Sequence, residues 1–396
     1  LAARLGAAGY RALAYSINFW VSPSFGFDTG FDSYRVGWEL FEGGEGFAEV
    51  GKKHTDLVGQ LRAFAPKLLS RAGVKTLANA LYLVTLWDYY DSGARRTTRR
   101  AKQWVAGSDD PFFVFLNYHE PHLDYDPPDG YVDELTPDDM TPPAAGDVNQ
   151  EAWAYVTGEA EMDESDFRRL RLLYDAELRY LDRRLGELFD ALEREGELSE
   201  TLVVVTSDHG ENLGDHDLMG HQYCLYDTLT HVPLIIRGPG VDPGTRDGHV
   251  ELRDVYPTLL AAAGVEPEIP AQRDLRADPD RELVGAEYWT PPRPTSELRS
   301  TYGELPERVR KFDRGLQAVR TDEWKLVLGT DGSTRLYNIA QDPGEQTDVS
   351  RDNPTVVEEL SAELESRFDP ITADETRTDP EVSSVVTNRL EELGYL

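Results

Sequence analysis

The strongest indication of the fold comes from residues Thr201–Gly240, TLVVVTSDHGENLGDHDLMGHQYCLYDTLTHVPLIIRGPG. This stretch opens with Thr201–Thr206, an apolar, β-branched run with the length and composition of a buried strand. A carboxylate and an imidazole, Asp208 and His209, follow this strand directly. Val232–Arg237 is a second such run, closed by Gly-Pro-Gly. Polar residues at the end of a buried strand are typical of a parallel α/β sheet, which binds ligands at the carboxyl ends of its strands.

Helix and strand signals alternate on both sides of this stretch. Such alternation predicts a doubly wound, mainly parallel sheet. Apolar residues recur at steps of mostly three and four from Phe167 to Leu192, which predicts one long amphipathic helix that ends at Gly196. The other predicted elements are a helix at 1–9, a strand at 11–17, loops at 22–51, helices through 54–106, a strand buried on both faces at 112–116, a surface excursion at 124–163 and a helix at 254–263.

The composition changes after about Val265, where residues 266–312 become rich in Pro, Arg, Asp and Glu. Three short strand candidates follow, and Thr330-Asp331-Gly332-Ser333 between the last two is a strong hairpin turn. Together they predict a small antiparallel sheet. The strand candidates are Leu316–Arg320, Trp324–Leu328 and Thr334–Asn338, followed by a helix at 354–367, a poorly ordered segment at 369–382 and a last helix at 385–393.

The chain is strongly acidic. Its 396 residues include 40 Lys plus Arg against 73 Asp plus Glu, a net charge of −33, and only seven of the basic residues are Lys. Because such a surface stays soluble in high salt, a halophilic source is the leading explanation and an acidic binding surface the second. Nucleic acid is not expected as a partner, since phosphate backbones need basic stripes. No membrane span is predicted, and the single cysteine, Cys224, fits a reducing cytoplasm.

Asp208 and His209 are candidate ligands of a divalent metal. Asp208 offers a hard carboxylate oxygen and His209 an imidazole nitrogen. Gly210 is expected to let the backbone turn sharply away from the strand. The alternative is a loop in which Asp208 caps a helix and His209 is merely polar.

Two further histidines are candidates for the same site. The strand at 112–116 ends in Asn117-Tyr118-His119-Glu120-Pro121-His122, and His221 lies in a loop just past the metal motif. If the two strand ends lie at the same edge of one sheet, His122 and His221 share a site with Asp208 and His209. A purely structural role for each histidine is the alternative.

Residues Thr201–Gly240 resemble the core signature of the sulfatase family, in the alkaline phosphatase superfamily. This resemblance implies an alkaline-phosphatase-like, mainly parallel sheet flanked by helices. It places the catalytic α/β domain at residues 1–265 and a carboxy-terminal subdomain, with a small antiparallel sheet and terminal helices, at 266–396. The resemblance extends to Pro111–His122, Tyr174–Leu192, Leu252–Leu260, Val319–Leu326, Leu336–Asn338, Asp342–Glu345 and Arg389–Leu396.

The resemblance also implies a role for each candidate residue. Asp208 and His209 match the second pair of metal ligands, and in sulfatases the metal is usually calcium. His122 matches a histidine that contacts the sulfate group and assists the leaving group. His221 stands where many members have a sulfate-binding lysine, so its positive charge depends on its pKa. The implied function is a metal-dependent sulfuric ester hydrolase that acts on a small-molecule or carbohydrate sulfate ester.

Two parts of the family pattern do not occur in this sequence. They are an Asp pair on the first strand and a Cys or Ser nucleophile in a Pro-and-Arg motif; Cys224 is interpreted as a small buried apolar residue instead. We therefore expect these parts to lie upstream of Leu1, in an amino-terminally truncated chain. A phosphate or phosphonate ester hydrolase on the same scaffold, an inactive fragment or pseudoenzyme, and a non-enzymatic binding module stay open as alternatives, as does the oligomeric state.

Overall fold

The computed structural model describes residues 1–37, 93–106, 110–267, 274–277, 281–289, 295–307 and 309–371. The strands of this part are β1 (Arg11–Ser16), β2 (Ser33–Val36), β3 (Phe112–Asn117), β4 (Val203–Thr206), β5 (Asn212–Leu213), β6 (Met219–Gly220), β7 (Leu234–Arg237), β8 (Val284–Tyr288), β9 (Leu316–Arg320), β10 (Trp324–Gly329) and β11 (Thr334–Asn338). The α-helices are α1 (Ala2–Ala7), α2 (Ala94–Val105), α3 (Tyr131–Leu135), α4 (Ala152–Thr157), α5 (Glu164–Arg194), α6 (Asp227–Thr230), α7 (Val255–Ala262), α8 (Thr295–Tyr302) and α9 (Pro354–Arg367).

The chain divides into two compact units. Of the described residues, the first unit holds 1–150 and 168–199, and the second holds 151–167 and 200–371. The domain boundary expected at residue 265 stays a prediction.

A parallel sheet forms the centre of the first unit. Its strand order is β2-β1-β3, with both pairings parallel. The middle strand carries the buried apolar residues Ala12, Leu13 and Ala14, each fully inaccessible. The strand at 112–116 was expected to be buried on both faces, but β3 is half-buried along its length, because β1 is its one partner strand in the described part of the chain. β2 corrects the expectation of loops throughout 22–51.

Helices α2 and α5 form the apolar contacts of the first unit. Ala101 and Val105 of α2 pack against Leu188 and Leu192 of α5. The long helix predicted from the apolar stripe is confirmed, and Gly196 follows it in the left-handed conformation at φ 79°. Of the helices expected through 54–106, residues 54–92 lie outside the described residues. No helix in the described part of the chain is long and apolar enough to cross a membrane.

The strands that flank the metal motif do not continue the parallel sheet. β4 and β7 pair with each other, antiparallel, in a separate two-stranded sheet of the second unit. Both strands are only half-buried to exposed. The expectation of one mainly parallel sheet is therefore confirmed for β1, β2 and β3 and wrong for this pair. The apolar composition of a run predicts that it is a strand, whereas its partner and direction depend on where the rest of the chain lies.

The predicted small antiparallel sheet is present in the second unit. Its order is β11-β10-β9-β8, and β9, β10 and β11 match the three strand candidates to within one residue. β8 was missed because its sequence, Val-Gly-Ala-Glu-Tyr, lies in a segment dominated by Pro and charged residues. Helix α9 covers one face, where its Leu360 and Leu364 pack with Val319, Leu326 and Leu336.

The segment 124–163 is more than a surface excursion. It contains helices α3 and α4, and Tyr125 is fully buried. Trp153 of α4 packs edge-on against Tyr223 and joins a core cluster of the second unit with Phe312. Aromatic residues that are spaced widely among Pro and Asp gave no periodic signal, so their burial was not predictable from the sequence pattern.

Candidate metal and anion site

The loop that follows β4 presents Asp208 and His209 to solvent. Asp208 Oδ1 lies 3.9 Å from His209 Nε2, and the side chains are 63% and 38% exposed. The other ring nitrogen of His209, Nδ1, lies 2.8 Å from the carbonyl oxygen of Gly210. A hydrogen bond from one ring nitrogen to a backbone carbonyl fixes the tautomer and leaves the second nitrogen as a ligand, as is usual for metal-binding histidines.

These two residues fit the role of a ligand pair for a divalent cation. Donor atoms 3.9 Å apart can both bind one cation, because metal–ligand distances are roughly 2.0 to 2.6 Å. Within the described ranges, no group of three or more His, Cys, Asp or Glu side chains could hold a metal ion. A carboxylate with an imidazole is compatible with several divalent metals.

Helix α6 fixes the backbone of this loop. Gly210 donates its N–H to the carbonyl oxygen of Leu229 at 2.9 Å. A Cβ atom on Gly210 would lie 2.0 Å from the carbonyl oxygen of Thr228. Thr228 Oγ1 also donates to Oδ1 of the fully buried Asn212 at 2.6 Å. Gly210 is therefore required for a close approach of two backbones, and the expectation that it lets the backbone turn sharply away stays a prediction.

His221 lies beside His209. The two rings stack with their centroids 4.2 Å apart and their planes at 22°. Nδ1 of His221 is 3.4 Å from Oε1 of Glu211, and both side chains are largely buried. Burial alone would lower the pKa of His221, but the hydrogen bond and charge of Glu211, with the charge of Asp208, outweigh it and raise the pKa. The short hairpin of β5 and β6 brings this pair together.

His122 lies in the first unit, in the loop after β3. Its ring faces that of His119, with centroids 4.5 Å apart, and its Nδ1 contacts the carbonyl oxygen of Leu123. The buried Glu120 holds this loop, since its Oε1 accepts the N–H of Ala94 at the start of α2 at 2.8 Å. This contact satisfies one of the backbone donors that a helix start leaves unpaired.

The structure thus brings three of the four predicted site residues together in the second unit, namely Asp208, His209 and His221. The strands that carry His122 and Asp208 belong to different hydrogen-bonded sheets, so the expected edge of one common sheet is not found in the described residues. A site that includes His122 stays a prediction.

Sequence reasoning missed Glu211 and Asn212. Both stand in the same motif, but their burial depends on the β5–β6 hairpin, which the sequence did not predict. A charged and an amide residue, separated from the candidate ligand pair by Gly210 alone, were the available signals. Buried polar side chains of this kind are held by specific partners.

Comparison with known proteins places these features in a family. The model of the sulfatase family matches residues 1–265. The chain belongs to the sulfatase family. The uncharacterized sulfatase YidJ of Escherichia coli (strain K12) is 30% identical over 273 residues, which is 65% of this chain and 51% of that protein. Among eight curated relatives, the chain spans between 36% and 55% of the length of each.

Solved structures share the fold of this chain. A phosphonate monoester hydrolase of Agrobacterium radiobacter aligns with a TM-score of 0.59 and 21% identity over 92% of this chain and 79% of its own. A second structure, in complex with its substrate D-glucosamine-2-N,6-O-disulfate, aligns with a TM-score of 0.58 and 17% identity over 94% and 83% of the two chains. These likenesses concern the fold, and they support the α/β, alkaline-phosphatase-like class.

Proposed function

We propose that this chain takes part in the metal-dependent hydrolysis of sulfate esters, with Asp208 and His209 as ligands of a divalent metal, of which calcium is the first candidate. The observation that carries the proposal is the contact geometry of the second unit. A carboxylate and an imidazole nitrogen lie 3.9 Å apart, and a second imidazole stacks on the first. Family membership makes sulfate the first anion to consider.

Each residue has a proposed role in this chemistry. His221, which Glu211 holds in place, donates a hydrogen bond to a non-bridging oxygen of the bound anion. His122 donates a proton to the departing alcohol oxygen. The bound metal supplies positive charge that stabilises the charge developing on the ester oxygens.

We propose a carbohydrate or other small-molecule sulfate ester as the substrate. The solved neighbour with D-glucosamine-2-N,6-O-disulfate as its substrate supports this choice. Phosphonate monoester hydrolysis is the second candidate, because a neighbour of the same fold carries that name and because both esters present tetrahedral oxyanions to the same donor groups.

Metal binding and turnover test these roles separately. We expect calorimetric titration of the full 396-residue chain with Ca²⁺, and in parallel with Mn²⁺, to show binding that Asp208→Asn or His209→Gln weakens about tenfold or more. Asp242→Asn, at an exposed carboxylate outside the loop, is the control and should bind as the unmodified chain does. Equal affinity in all variants would refute the ligand assignment.

Turnover is measured on D-glucosamine-6-sulfate and on an aryl phosphonate monoester side by side. Faster release from the sulfate ester, abolished by chelation, supports the sulfatase proposal. Faster release from the phosphonate favours the second candidate. Metal binding without turnover of either ester favours the inactive chain that the sequence also left open.

A further inference from the structure

An ion cluster lies next to the loop Asp208–Glu211, called the metal loop below. The cluster has no part in the chemistry proposed above. At its centre, Lys325 of β10 is 2% exposed and its Nζ lies 2.8 Å from Oδ1 of Asp227 and 2.9 Å from Oε1 of Glu345. Arg320 of β9 donates from Nε to Oδ2 of Asp227 at 3.0 Å. The backbone N–H of Asp227 donates to Oε2 of Glu345 at 2.5 Å. Two cations and two carboxylates therefore form one cluster, in which Lys325 and Glu345 are buried and Asp227 and Arg320 are partly exposed.

Burying charged groups in this cluster costs desolvation free energy. This cost indicates that the cluster has a role beyond stabilising the fold. Removing charges from water offsets most of the attraction between them, so apolar side chains often stabilise a core as well as a buried ion pair does. Glu345 also adopts a left-handed backbone conformation, φ 54°, that a residue with a side chain rarely takes. Such conformations persist where the surrounding structure imposes them, and they are frequent near functional sites.

The cluster connects to the metal loop through helix α6. Asp227 is the first residue of this helix. The next residue, Thr228, binds Asn212 through its hydroxyl at 2.6 Å, and Leu229 accepts the N–H of Gly210 at 2.9 Å. The contacts of α6 thus fall on both sides of Glu211, the residue that holds His221.

Three basic residues on adjacent strands of the carboxy-terminal sheet contact the start of this helix. Arg320 and Lys325, on β9 and β10, bind Asp227. Arg335, on the neighbouring β11, donates from Nη1 to the hydroxyl of Tyr226 at 2.8 Å. The ring of Tyr226 in turn stacks on His216, which follows the metal motif, with centroids 3.5 Å apart. The sheet therefore holds residues 226–227 from three adjacent strands.

We propose that Lys325 is a positioning residue, which fixes the Asp208–Glu211 loop through Asp227 and helix α6. The carboxy-terminal sheet then sets the place of Asp208 and His209, although no residue of the sheet touches the substrate in this proposal. The relevance to catalysis rests on the proposed function, whereas the mechanical link from Lys325 to the loop does not.

Hydrogen–deuterium exchange of the full chain, without added metal or substrate, tests this link. Lys325→Met removes the charge and keeps the length of the side chain. We expect exchange in a peptide covering 207–214, which includes the Gly210 amide, to accelerate about tenfold. Peptides from α7, which lies in the same unit, should exchange as in the unmodified chain. Lys325→Arg, which keeps the positive charge, should restore most of the protection.

Arg314→Met is the matched control, because Arg314 pairs with Asp331 at 2.9 Å beside the same sheet. It should leave exchange at 207–214 unchanged. If Arg314→Met accelerates this peptide as much as Lys325→Met does, or if Lys325→Met leaves it unchanged, the proposal is wrong. Should Lys325→Met unfold the second unit, as loss of protection in α7 would show, Asp227→Asn tests the same link with a nearly isosteric change.

The two proposals fail in different ways. If Asp208→Asn leaves metal binding unchanged, the proposed function is refuted while the exchange experiment still decides the role of Lys325. If metal binding depends on Asp208 but Lys325→Met leaves exchange of the 207–214 peptide unchanged, the positioning role alone is refuted.

Discussion

Replacing Gly210 with alanine is expected to destabilise the chain, although alanine usually stabilises a folded backbone because it loses less conformational entropy than glycine on folding. The added Cβ would meet the carbonyl oxygen of Thr228 at 2.0 Å and its carbonyl carbon at 3.0 Å. Carbon and oxygen in close contact normally lie roughly 3.3 Å apart, so the two backbones must separate by about 1.3 Å. Neither contact atom belongs to a flexible side chain, and the clash cannot be relieved by a change of rotamer.

The magnitude follows from two terms. Overpacking against a rigid neighbour costs about 1 to 3 kcal/mol. The separation also breaks the 2.9 Å bond from Gly210 to Leu229, worth about 1 kcal/mol. We expect Gly210→Ala to lower the free energy of unfolding by about 2 to 4 kcal/mol and, because the loop shifts, to weaken metal binding as well.

Urea denaturation, followed through tryptophan fluorescence and helical circular dichroism, measures the effect. Gly186→Ala provides a control of opposite sign, since Gly186 lies inside α5 and its added Cβ would meet nothing within 4 Å beyond the helix's own backbone and the two neighbouring residues. It should stabilise the helix by about 0.5 to 1 kcal/mol. A midpoint for Gly210→Ala at or above that of the unmodified chain would refute the close approach of α6 to the metal loop.

Three further predictions concern other sites. Glu120→Ala should cost about 1 to 3 kcal/mol by leaving the buried Ala94 N–H unpaired, and Glu120→Gln less; equal urea midpoints would contradict this. Hydrogen bonds from Ser333 and Arg314 outweigh burial and lower the pKa of Asp331 to about 2. The ionised carboxylate therefore contributes fully to the free energy of unfolding above about pH 4, and this contribution is lost as the pH falls towards 2. The difference in stability between the unmodified chain and Asp331→Asn should close over that interval. Burial raises the pKa of the Cys224 thiol to about 11, so Ellman's reagent at pH 8 should label it only after denaturation, and fast labelling of the native chain would show that the thiol is accessible.

Local sequence patterns predicted the elements well where one face of each element decides its burial. The apolar stripe of α5 needs only one covered face, and the turn at 330–333 separates the strands β10 and β11. The predictions were weaker for β3 and β4. A continuous apolar run indicates a strand but contains no information on the number of its neighbours or on their direction. The pairing of β4 with β7 and the half-burial of β3 therefore had to come from the structure.

The residues of the candidate site also fall into those that the sequence could indicate and those that it could not. Asp208, His209 and His221 could be named from the sequence because metal and anion chemistry requires those residue types after a strand. Glu211, Thr228 and Lys325 could not, because their roles depend on contacts between residues up to 118 positions apart, as in the bond from Asp227 to Glu345.

Residue types and their spacing were enough to predict the family, the strongly periodic helices and strands, and the chemistry of the candidate ligands. The folded structure was needed to see how the loop with these ligands is held, by a four-residue helix whose first residue joins an ion cluster on a sheet far along the chain. A residue type fixes the chemistry of its side chain, whereas the free energy of a buried charge or of a close backbone approach depends on which partners the fold brings to it.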